Sequence, residues 1–84
     1  MTIKNGEEMR TKEFTEQLFQ LGYGFETKVG NEYLFVIDDM GFNIARVSTT
    51  RKNVVDVLWE VPISNNLYDL LRIYACTPIN KRKD

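Results

Sequence analysis

Hydrophobic residues recur along this chain with a helical period near both ends and a strand period between them. Phe14, Leu18 and Leu21 stand at i, i+4 and i+7 and Phe19 widens the stripe, which predicts a helix over residues 11–21. Thr11 is placed to cap it, Glu13 complements the dipole of its first turn, and Gly22 ends it. The period then falls to two. Phe25, Thr27 and Val29 alternate with Glu26 and Lys28, the pattern of a strand with one solvated face, and Gly30-Asn31 is a two-residue hairpin signal. Tyr33-Leu34-Phe35-Val36-Ile37 follows, rich in the aromatic and β-branched types that suit a pleated, half-buried surface. Residues 49–53 are a polar loop, and 54–59 read as a fourth extended piece that Pro62 ends. Ser64, Asn65 or Asn66 caps a last helix whose stripe is Leu67, Leu70, Leu71 and Tyr74, and Thr77-Pro78 stops it.

The chain is organised around the hairpin of residues 32–48. A loop Asp39-Met40-Gly41 suits a type I turn followed by a left-handed residue, which Gly41 adopts without a Cβ clash. That turn pairs Asp38 with Phe42, Val36 with Ile44 and Leu34 with Arg46. One face then carries Leu34, Val36, Phe42 and Ile44, and the other Tyr33, Phe35, Ile37, Ala45 and Val47. Both faces are apolar, so each is expected to be covered, by helices, a long loop or a second copy of the chain. A slip of one residue exchanges the two sets.

The element order makes this an α+β domain, an antiparallel meander of three to four strands flanked by an N-terminal and a C-terminal helix. Residues 1–10 read as a flexible arm, 11–79 as a single domain and 80–84 as a basic tail. Met9, just ahead of the first structured segment, is a candidate alternative start of translation.

Composition removes function classes rather than naming one. At 84 residues with 43% hydrophobic and 12% aromatic content, the chain has enough apolar side chain for one modest core. No apolar run approaches the roughly 18 residues of a membrane span, and the N-terminus lacks the apolar centre of a signal peptide. A soluble cytoplasmic protein is the expectation. There is no histidine, which removes the commonest general base and metal ligand together, and the single Cys76 cannot form an internal disulfide. No catalytic residue, cofactor or metal site is predicted. Net charge is −1, but residues 1–42 hold four Lys/Arg against eight Asp/Glu (−4) and residues 43–84 seven against four (+3).

A few residues remain as candidates. Trp59 and Ile63, with Pro62, form an apolar cluster in a predicted loop and suit a protein partner if exposed. Tyr33 and Phe35 beside Arg46 suit either stacking with a ligand or burial under a helix, and burial is favoured because the helical stripes need an apolar sheet face. Arg46, Arg51, Lys52, Lys81, Arg82 and Lys83 are the cations a nucleic-acid phosphate would meet in the alternative reading. Asp38 and Asp39 read as turn residues rather than cation ligands, and Cys76 as a small apolar residue at a helix end.

The helix order resembles that of double-stranded RNA-binding domains, but the start of the last helix reads Ser64-Asn65-Asn66-Leu67-Tyr68-Asp69, without the lysine cluster of that family. Over residues 9–82 the chain resembles a group of small phage and prophage proteins of Gram-positive bacteria. The resemblance is carried by Thr11-Lys12-Glu13-Phe14, Leu21-Gly22-Tyr23, Asp39-Met40-Gly41, Ile44-Ala45-Arg46-Val47-Ser48 and the segment from Leu67 to Ile79. It implies a mobile-element origin and a bacterial cytoplasm, and brings no catalytic residue with it. The resulting expectation is a small non-enzymatic accessory protein that binds another protein, either itself or a host factor. Nucleic-acid binding through the basic second half is the alternative.

Overall fold

The computed structural model describes residues 8–28, 30–58 and 63–83. The chain runs α1 (Thr11–Gln20), β1 (Gly24–Thr27), β2 (Tyr33–Ile37), β3 (Asn43–Ser48), β4 (Val55–Val57) and α2 (Asn65–Cys76), then a 3₁₀ turn over Ile79–Lys81. The strands form one antiparallel sheet in sequence order, so the domain is α+β with a helix at either end of a meander. Both helices lie on the same face. Phe14 and Leu18 of α1 and Leu67, Leu70, Leu71, Tyr74 and Ala75 of α2 share a core with Leu34, Val36, Ala45 and Val47. The Phe14 and Tyr74 rings stack at 4.1 Å between the helices.

The hairpin register holds only at the turn. Ile37 opposes Asn43, but Val36 opposes Ala45 and Leu34 opposes Val47, with a bulge that leaves Ile44 extra. Ile44 and Ala45 are consequently both buried, and Val47 turns to the helices with them. The expected face sets are thereby exchanged for Ala45 and Val47. The physical reason is Arg46. Without the bulge it would lie against Leu34 under the helices, where an unpaired guanidinium costs several kcal/mol. With the bulge it points the other way, and the pairs Leu34–Val47 and Val36–Ala45 stay inside together with Ile44. Phe42, expected beside Leu34, is exposed.

Other details depart from the pattern. Leu21 and Phe19 are exposed, so the buried stripe of α1 is Phe14 and Leu18 alone. Arg10 occupies the cap position, because the Thr11 hydroxyl bonds the Tyr74 hydroxyl at 2.7 Å and its N–H donates to the Arg82 carbonyl at 2.9 Å. Gly22 does end the helix, at φ +92°. Its N–H donates to Phe19 O and that of Tyr23 to Leu18 O, a Schellman pair. The first hairpin is wider than a two-residue turn: Thr27 opposes Leu34, and Asn31 N–H donates to Lys28 O. Val29 lies outside the described residues. In α2 the Ser64 hydroxyl accepts from Leu67 N–H at 3.1 Å, choosing Ser64 among the three expected caps.

Both ends of the domain extend past their expected limits. Met9 is buried and its N–H donates to the Thr77 hydroxyl at 2.9 Å, so the ordered domain begins before Thr11. The tail is corrected more sharply. Arg82 is only 3% exposed, and its guanidinium lies 4.5 Å over the Tyr74 ring. Cys76 is exposed rather than packed at the helix end. No helix among the described residues is long and apolar enough to cross a membrane.

Candidate functional site

Strand alternation and the bulge leave Tyr33, Phe35 and Ile37 on the face away from the helices, each half-buried. Phe35 faces Glu26 on β1 and Arg46 on β3, and Arg46 faces Asp56 on β4, so one row across the sheet reads Glu26, Phe35, Arg46, Asp56. Arg46 Nε donates to Asp56 Oδ2 at 3.0 Å while its guanidinium lies 4.3 Å over the Tyr33 ring. The Tyr33 and Phe35 rings meet at 6.4 Å, tilted by 53°. The result is an aromatic strip with a fixed cation against it and a carboxylate on either side. Among the described residues nothing packs over this strip. Tyr33 and Phe35 are therefore not the helix-covered core residues that the helical stripes suggested. The stripes find enough apolar surface on the other face, in Leu34, Val36, Ala45 and Val47.

Ile63 is half-buried and packs on the core beside α2, whereas Trp59 and Pro62 lie outside the described residues. The candidate cations fall in two places: Arg46 on the open face, and the Arg51-Lys52 loop beside the turn of Lys81, Arg82 and Lys83, the two segments meeting at Ser48. Arg51 and Lys52 are exposed in the loop after β3, which is pinned by Arg51 N–H donating to the Ser48 hydroxyl at 2.9 Å and Thr49 N–H to Glu32 O at 2.8 Å. Lys81 and Lys83 are exposed beside the last turn. Arg82 is not available to a phosphate. Nε donates to Thr77 O, Nη1 to Ser48 O and Nη2 to Ala75 O, at 2.9, 2.6 and 3.0 Å. Burial pushes its guanidinium below the ordinary value, and the neighbouring Tyr74 partly offsets this. Two of the accepting carbonyls belong to the last turn of α2 and its cap, where the helix dipole favours a cation.

Asp38 serves its turn. Oδ1 accepts from Met40 N–H at 3.0 Å and Phe42 N–H at 2.9 Å. No group of three or more Cys, Asp or Glu side chains that would hold a metal ion is present among the described residues. Neither family models, characterised proteins nor solved structures match this chain or its fold.

Proposed function

We propose that this chain is a small, non-enzymatic accessory protein of phage or prophage, working in a bacterial cytoplasm by binding another protein through its open sheet face. The observation that carries the reading is the row Glu26, Phe35, Arg46, Asp56 with Tyr33 beside it. Aromatic side chains and an arginine are the residue types that anchor protein interfaces. Here they are fixed in place by strand pairing, so little side-chain freedom is lost on docking. The two carboxylates that flank Arg46 and Phe35 would repel a phosphate backbone, and Arg46 already spends its charge on Asp56. These features favour a protein over a nucleic acid at this face. The resemblance to small phage and prophage proteins supplies the biological setting.

The test is capture from bacterial lysate after nuclease treatment, comparing the tagged protein with its Tyr33→Ala/Phe35→Ala variant. A protein retained by the parent and lost from the variant is the expected result. Retention by both moves the contact elsewhere and overturns the open-face reading. Material that disappears with nuclease replaces it with the nucleic-acid alternative, and an empty eluate in both arms removes a host partner.

A further inference from the structure

The outer edge of β4 carries a second surface, built from backbone rather than aromatic side chains. Leu58 N–H donates to Ile44 O and Ser48 N–H to Val54 O, each at 2.9 Å. With Arg46 opposite Asp56, these bonds place Val54, Asp56 and Leu58 at the hydrogen-bonded positions of the β3–β4 ladder. The intervening residues, Val55 and Val57, must then point their N–H and C=O groups away from β3, toward the free edge. These groups have no partner among the described residues. Beside them, Val55 and Val57 of β4 and Tyr68, Leu71 and Arg72 of α2 line an apolar groove of about 140 Å³. Val57 is 45% exposed and Tyr68 53%.

We propose that the occupant of this edge is a second copy of the chain, joined β4 to β4 about a two-fold axis through Asp56 into one eight-stranded sheet. The edge is complementary to itself. When Val55 of one copy faces Val57 of the other, each facing pair exchanges both of its bonds, and every outward N–H and C=O is satisfied. The helices fit the same operation. α2 packs on β3 and β4, the two strands nearest the free edge. The two α2 helices therefore come side by side on one face of the joined sheet. They run antiparallel, which brings Tyr68 of one copy against Arg72 of the other, the two residues of α2 that line the edge groove with Leu71. Asp56 meets its own copy, and Arg46 at 3.0 Å offsets each of these carboxylates. The dimer would leave both open faces on one continuous surface. It goes beyond the open-face reading and does not depend on it.

Light scattering on the eluting full chain, over a range of loading concentrations, tests the assembly. The expected result is a mass of twice the 9.8 kDa chain that falls toward 9.8 kDa on dilution. Val57→Pro removes an outward donor and no β3–β4 bond, so it should give the monomer mass with an unchanged circular dichroism spectrum. A wild-type chain of monomer mass at every concentration overturns the proposal, as does a Val57→Pro variant that stays dimeric. Amide exchange on the unaltered chain gives a check that needs no variant. Val55 and Val57 amides should be protected at high concentration and lose protection on dilution. Fast exchange of both at all concentrations overturns the pairing. Tyr33→Ala/Phe35→Ala should leave the mass unchanged, which separates this surface from the open face.

Discussion

Arg82 Nη1 donates to the backbone carbonyl of Ser48 at 2.6 Å, tying the last described turn of the chain to the end of β3 across 34 positions. The same guanidinium closes the C-terminal end of α2 through Ala75 O and Thr77 O, and the Arg82 carbonyl receives the first N–H of α1. One residue thus joins both helices to the sheet.

Arg82→Ala is therefore expected to destabilise the domain by about 3 kcal/mol or more, because several buried carbonyls lose charged donors at once. That corresponds to a drop in Tm of roughly 12 °C or more for a domain of this size. Arg82→Lys should recover only part of the loss, since an ammonium lacks the planar fork. Urea denaturation with a constant slope checks both.

The two faces of the sheet predict unequal responses to the same chemical change. Phe14 is fully buried, and Phe14→Ala should cost about 3–5 kcal/mol. Phe35 is half-buried on the open face, and Phe35→Ala should cost about 1 kcal/mol. Equal losses in denaturant unfolding would mean that the open face is covered.

Gly22 and Gly41 sit at φ +92° and +86°, where an added Cβ meets no neighbour but the backbone itself opposes a side chain. Gly22→Ala and Gly41→Ala should each cost about 1–2 kcal/mol, with a native circular dichroism spectrum. Thermal melts of the two variants measure it.

Capping separates the two helices. Ser64→Ala should cost about 1 kcal/mol by releasing Leu67 N–H. Thr11→Ala should cost a similar amount for another reason, loss of the bond to the Tyr74 hydroxyl. A double-mutant cycle with Tyr74→Phe should then show coupling for Thr11, and none for Ser64.

Much of the local architecture was legible in the residues themselves. The α2 stripe of Leu67, Leu70, Leu71 and Tyr74 is buried as its period demands, because four well-spaced apolar side chains leave one face to bury. The Schellman end at Gly22 and the Asp38 turn follow from short-range backbone chemistry, so they need no distant partner to be read. The α1 stripe was legible only in part. Its period does not say how far a sheet extends beneath it, and Leu21 runs past the edge of the core into solvent.

What the sequence determined by itself was the set of elements, their order and the α+β class, since period, caps and turns act within a few residues. The tertiary structure alone decided which residues face which way. The bulge at Ile44 turns on the cost of burying Arg46, a comparison between two whole arrangements of the sheet. Arg82 shows the same limit. In the sequence it stands in a run of Lys81-Arg82-Lys83 and looks solvated, like its neighbours. It is buried because three carbonyls from β3 and the end of α2 converge on one point, and that convergence exists only after the helices have packed on the sheet.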